Sequence, residues 1–226
     1  MACRRYLACR QGPSMERQRL KVSLLKQLKT SAFWIFGCVA LLWLVELVNL
    51  ALDYRLNALG IRPRTLSGLA GIVFAPFLHG GIGHVLTNTI PFVILGWLVI
   101  LHGPRTFLKV SAIIILLSGI GIWLFGRSAY HIGASGLIFG YFGFLIARAW
   151  YERSLGSILV ALITIILYGG ILWGAFPFHP QIAWEGHLFG LLAGVLAARL
   201  VPREAADESE SPRSARRLDY HRPDRP

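Results

Sequence analysis

Apolar residues in this chain gather into long stretches almost free of charge, separated by short segments that hold nearly all the Lys, Arg, Pro and Asp. A helix needs about 20 apolar residues to cross ~30 Å of hydrocarbon. Six stretches approach that length: Ser31–Leu52, His84–Leu101, Phe107–Phe125, Ile132–Trp150, Leu155–Gly174 and Ala183–Val201. The pattern predicts an all-α membrane protein, a bundle of six transmembrane helices in a lipid bilayer. Asp53–Gly83 is different. It holds Leu56, Leu59, Ile61, Leu66, Leu69, Ile72, Phe74 and Phe77, too many for a solvated loop, but Gly60, Pro63, Gly68, Gly71 and Pro76 break any spanning helix. That segment is expected to lie in the outer interface as a long membrane-associated loop.

Composition agrees with this layout. Only 15% of residues are charged and the mean hydropathy is +0.57, whereas a soluble domain carries roughly 25% charge. The net charge of +12 would suit a nucleic-acid binder, but the cations follow the connections between stretches. With the N-terminus in the cytoplasm, 19 of the 23 Lys and Arg fall inside, and only Arg55, Arg62, Arg64 and Arg127 fall outside. The positive-inside rule therefore puts both termini in the cytoplasm, and no nucleic acid is implied. The first thirty residues lack the form of a cleavable signal and read as a basic cytoplasmic segment leading into the first span. The membrane domain is expected over residues 31–201, with residues 202–226 a disordered cytoplasmic tail. Cys3, Cys9 and Cys38 make no disulfide framework.

Polar residues in lipid are costly unless partnered, so their positions carry the information. One group, His79-Gly-Gly-Ile-Gly-His84-Val-Leu-Thr-Asn88, enters the second span, and His84 and Asn88 share a helix face. Gly133-Ala-Ser135-Gly136 opens the fourth, and Trp184-Glu185-Gly186-His187 opens the sixth. All three of these spans run from outside to inside, so the three groups share one layer near the outer surface. Gly136, Gly140 and Gly143 follow Ser135, and Gly190 and Gly194 follow His187 on its own face. Such stripes let helices approach closely, so the fourth and sixth spans are expected to bring a serine hydroxyl near an imidazole, as nucleophile activation requires. His131, four residues before Ser135, competes with His187 as the base if the helix has begun by then. Glu185 lies two residues from His187 and faces elsewhere, and Glu46 in the first span reads as a structural hydrogen-bonding residue, so no carboxylate completes a triad.

These residues resemble the rhomboid family of intramembrane serine proteases: His79, His84 and Asn88 at five- and four-residue spacing, G-x-S-G at 133–136, and His187-x-x-Gly190-x-x-x-Gly194. The resemblance covers roughly residues 31–201. It implies Ser135 as nucleophile and His187 as general base. It also implies that His84, Asn88 and the Ser135 N–H stabilise the oxyanion, with His79, Gly133, Gly136, Phe139, Gly190 and Gly194 as structural support. No cofactor and no metal are implied. The implied substrates are transmembrane proteins cut near the outer interface, with water admitted beneath a mobile apolar lid over Ala175–Ala183. Two features depart from the family pattern. The Trp-Arg pair common in its first loop is replaced by Arg62-Pro63-Arg64, and the aromatic commonly packed on the histidine is Phe139. The rival readings are a catalytically inactive rhomboid-like binder of membrane clients, a metal or haem protein, and a transporter. The metal reading lacks an H-E-x-x-H signature, and a transporter would carry its polar residues nearer mid-span.

Overall fold

The computed structural model describes residues 13–177 and 183–202. The tail cysteines Cys3 and Cys9, most of the expected C-terminal tail, and the 178–182 part of the expected lid lie outside the described residues. Seven α-helices run through the described chain: α1 (Pro13–Ala51), α2 (Leu66–Phe74), α3 (Ile82–Ile100), α4 (Pro104–Phe125), α5 (Ser135–Glu152), α6 (Leu155–Tyr168, continued by a 3-10 segment Gly169–Ala175) and α7 (Trp184–Leu200). Among the described residues there is no strand, and a single isolated bridge joins Ile61 to His131.

Local chemistry sets several boundaries. Pro104 sits in the first turn of α4, where its missing N–H costs nothing. Thr65 and Ser154 cap α2 and α6 by accepting from the N–H groups of Gly68 and Ser157. Arg153 ends α5 in the left-handed conformation, at φ 50, and α7 stops just before Pro202.

Four helical stretches, Lys21–Ala51, Ile82–Ile100, Pro104–Phe125 and Leu155–Ala175, are long and apolar enough to cross a membrane. The other two long elements, α5 with 18 residues and α7 with 17, are shorter or more polar. Their position explains the difference. Helix α5 is the axis of the bundle, with Tyr141, Phe142 and Phe144 fully buried, and it packs against α7, α6, α3 and α4. A helix walled by protein carries small, aromatic and hydrogen-bonding residues, whereas α1 and α6 turn Phe33, Phe36, Ile166 and Leu167 outward, as a lipid-facing surface requires.

Among the described helices, α5 and α7 make the most extensive pairing. A Cβ on Gly190 would overlap the Gly136 carbonyl, and one on Gly194 would overlap that of Gly140. Only hydrogen at these positions lets the backbones meet. At the far end of the pair, buried Arg148 donates to the carbonyls of Ala198 and Val201, capping α7, and pairs with Glu152.

The first loop is folded rather than loose. The Asn49 side chain at the end of α1 is fully buried; its amide donates to Asn57 Oδ1 at 2.9 Å and to the His79 carbonyl at 3.3 Å. Arg64 donates to the carbonyls of Leu124 (3.2 Å) and Gly126 (2.9 Å) at the end of α4, and Trp123 returns an indole bond to the Thr65 carbonyl at 2.8 Å. An Arg from the loop and a Trp from α4 thus hold a loop that lacks the Trp-Arg pair.

Candidate functional site

Ser135 is the first residue of α5, so its N–H belongs to a helix N-terminus whose donors have no intrahelical acceptor. The turn before it is fixed from outside. Gly133 sits at φ +114, a conformation that strains any L side chain, and its N–H donates to the Ala75 carbonyl at 2.8 Å. The Ala134 N–H donates to His79 Nε2 at 3.4 Å. His79 is completely buried, and burial pushes its pKa down to about 4, so at neutral pH the imidazole is uncharged and Nε2 is free to accept. The first loop therefore fixes the two peptides that lead into the serine.

His187 stands one residue past the opening turn of α7, facing α5. Its Nε2 lies 2.8 Å from Ser135 Oγ, and its Nδ1 lies 2.8 Å from the Gly174 carbonyl. A carbonyl can only accept, so Nδ1 carries the proton and Nε2 presents a lone pair to the hydroxyl. The Phe139 ring stacks on the imidazole, with centroids 4.1 Å apart and planes 6° from parallel. The ring is thus held by one hydrogen bond along its plane and one aromatic contact across it. This arrangement allows proton transfer from a hydroxyl to a nitrogen without rotation of the base.

His84 and Asn88 lie on the opposite wall. His84 Nδ1 accepts from the Gly80 N–H at 3.3 Å, leaving the proton on Nε2. That nitrogen is directed at Gly133, where an added Cβ would stand 3.0 Å from it. Asn88 Nδ2 donates to the His84 carbonyl at 3.0 Å, which uses one of its two amide protons. Ser135, His187, His84, Asn88 and Phe139 all line one open cavity of about 510 Å³, shared with Thr87, Pro91, Tyr130, Ile138 and Ile171. The donors and the hydroxyl face a common space large enough for a peptide segment.

His131 is brought elsewhere. Its backbone pairs with Ile61, and its Nε2 bonds to the Arg127 carbonyl at 3.1 Å. Helix α5 begins only at Ser135, so the four-residue spacing does not put the two side chains on one helical face. The Glu185 carboxylate pairs with Arg127, Nε to Oε1 at 3.4 Å, and makes no hydrogen bond to His187, whose Nδ1 bonds the Gly174 carbonyl. Glu46 is fully buried in α1. Among the described residues, no three His, Cys, Asp or Glu side chains gather as a metal site would need. Sequence reasoning missed Gly174, because its contribution is a backbone carbonyl. It also missed the Arg127–Glu185 pair, whose members lie 58 residues apart.

The sequence profile of the Rhomboid domain matches residues 67–204, the span from the first loop through α7. Uncharacterized proteins of Mycobacterium bovis and Mycobacterium tuberculosis are each 45% identical to this chain over 183 residues, covering 74% of it and 76% of the relative. An uncharacterized protein of Mycobacterium leprae is 38% identical over 183 residues, covering 74% of this chain and 72% of its own.

Proposed function

The chain belongs to the rhomboid family, and we propose that it is an intramembrane serine endopeptidase that cuts transmembrane segments of other membrane proteins by a Ser135–His187 dyad. The observation that carries this reading is the 2.8 Å contact between His187 Nε2 and Ser135 Oγ, made by an imidazole whose other nitrogen is committed to the Gly174 carbonyl.

In this mechanism His187 takes the hydroxyl proton as Oγ attacks a peptide carbonyl. The carbonyl oxygen becomes an oxyanion held by the Ser135 N–H, His84 Nε2 and the remaining Asn88 amide proton. His187 then returns its proton to the leaving amine, and water completes the hydrolysis of the acyl-enzyme. Each fixed donor is worth about 3–4 kcal/mol at the transition state. No carboxylate is required as a third member, because the Gly174 carbonyl and the Phe139 ring already set tautomer and orientation. His79, Gly133, Gly136, Phe139, Gly190 and Gly194 support the pair and do not react.

The topology belongs to the same proposal. Six crossings run over residues 31–201, residues 1–30 and 202–226 are cytoplasmic, and the chain resides in the cell's inner or plasma membrane. The cavity opens toward the outer side, and substrates enter from the bilayer at a point where their helix unwinds.

The test is cleavage of a reporter transmembrane substrate, and labelling by a fluorophosphonate, in one membrane preparation of wild type and Ser135→Ala. Cleavage and labelling in wild type alone support the protease. Neither in wild type leaves a rhomboid fold that binds clients without cutting them.

A further inference from the structure

The glycine seam between α5 and α7 fixes the two helices from Gly136 and Gly190 onward, but Ser135 and His187 lie at or above its upper end. What sets their approach must act there, on the turn before Ser135 and the first turn of α7. The backbone of one residue touches both. The Arg127 N–H donates to Glu185 Oε1 at 3.3 Å, and its side-chain Nε stands 3.4 Å from the same oxygen. The Arg127 carbonyl bonds to His131 Nε2 at 3.1 Å. His131 in turn is locked to the first loop by a reciprocal backbone pair with Ile61, at 3.0 and 2.9 Å.

Glu185 and His131 are 4% and 3% exposed, and neither hydrogen-bonds to Ser135 or His187, whose own partners are each other and the Gly174 carbonyl. A carboxylate buried this deeply is costly unless paired, and at the first turn of α7 it also meets the positive end of the helix dipole. The polar path from Glu185 through Arg127 to His131 joins the histidine's helix to the segment four residues before the serine, independently of the glycine seam.

We infer that the Glu185–Arg127–His131 bridge is a positioning device that sets the distance between Ser135 Oγ and His187 Nε2. The inference rests on the reading of that pair as the reacting groups. Glu185 and His131 are positioning residues, acting through the Arg127 backbone, and neither takes a proton in the reaction.

The experiment measures cleavage of a transmembrane reporter and the rate of fluorophosphonate labelling in the full-length protein. Glu185→Ala and His131→Ala are each expected to lower kcat about tenfold or more, as sub-ångström misplacement does, with KM within about twofold, and to slow labelling in parallel. Glu185→Gln and His131→Gln, which keep an acceptor and a donor, stay within about threefold of wild type on the same argument. The double alanine variant is no slower than the slower single, because both hold the backbone of one residue. Glu185→Asp, which keeps the charge but withdraws the acceptor from Arg127, shows a lowered kcat even where an alanine variant fails to fold. Wild-type labelling in Glu185→Asp, a loss confined to KM, or multiplicative losses in the double variant overturn the inference and leave the protease reading standing. A wild type that neither cleaves nor labels overturns both.

Discussion

Gly194 of α7 and Gly140 of α5 meet backbone against backbone, so that a Cβ on Gly194 has no space to occupy beside the Gly140 carbonyl. Gly190 stands in the same relation to Gly136 one turn nearer the site. Gly194→Ala is therefore expected to force the helices apart, with the 1–3 kcal/mol of destabilisation typical of overpacking and loss of substrate cleavage. Gly156→Ala, at a position in α6 where a Cβ meets nothing within 4 Å, removes backbone freedom at no steric cost and should leave stability equal or slightly higher. Thermal unfolding in detergent, read beside cleavage for the two variants, checks the contrast. Equal behaviour would mean that the seam is not what holds the pair.

The Phe139 ring covers one face of the His187 imidazole. An aromatic contact of this kind is worth about 0.5–1.5 kcal/mol, so Phe139→Ala is expected to lower kcat by roughly two- to tenfold, while Phe139→Tyr keeps the surface and stays near wild type. Steady-state kinetics on one reporter substrate decides this. An alanine variant with unchanged kcat would make the stack a packing contact without consequence for the base.

Much of this arrangement is visible in the linear pattern. The stripes at Gly136, Gly140, Gly190 and Gly194 point to the α5–α7 contact, because close helix approach leaves a periodic mark at three- and four-residue spacing. The opening of Ser135 at a helix N-terminus is also foreshadowed, since Gly133 breaks whatever precedes it. Gly174 is invisible because what bonds His187 is a backbone carbonyl, a group every residue has, and Arg127–Glu185 is invisible because nothing periodic links partners so far apart. Interior α5 and α7 are less apolar than the outer stretches Lys21–Ala51 and Leu155–Ala175, because they face protein on most sides. The first loop reads correctly as apolar and broken. Its anchor, with Arg64 on the end of α4 and Trp123 on Thr65, needs the three-dimensional contact to be seen.

His79 ties pH to stability. Burial holds its folded-state pKa at about 4, below the ~6.5 of an unfolded histidine. The unfolded chain therefore takes up the proton first as pH falls. Stability from this group is complete above about pH 6.5 and declines toward pH 4, with a slope of up to about 1.4 kcal/mol per pH unit. Protonation would also set a donor against the Ala134 N–H, one residue before Ser135. His79→Gln, which has no proton to gain in this range, is expected to flatten the part of the unfolding profile between pH 6.5 and 4. A variant with the same pH slope as wild type would assign that slope to other groups.

Arg64 supplies the last prediction. It reaches the carbonyls of Leu124 and Gly126 and the Ser128 hydroxyl at 3.3 Å, the unpaired end of α4, from a backbone held at φ 59. Its planar fork spreads donors over separate nitrogens to reach acceptors that lie apart, whereas the three protons of a lysine ammonium all sit on one nitrogen. Arg64→Lys should therefore lose most of the Arg64 side-chain contacts, and Arg64→Gly should lose all of them while relieving the backbone, with the residue-64 N–H still donating to the Trp123 carbonyl. Removing hydrogen bonds to a charged donor costs about 1.5–3 kcal/mol, and the loosening is expected in the first loop rather than across the bundle. Hydrogen exchange should quicken over residues 60–76 in both variants while α5 remains protected. Because Ile61 of that loop pairs with the backbone of His131, cleavage should fall in step with the exchange. Rapid exchange in the loop with an unchanged cleavage rate would show that the loop and the turn leading to Ser135 are held independently.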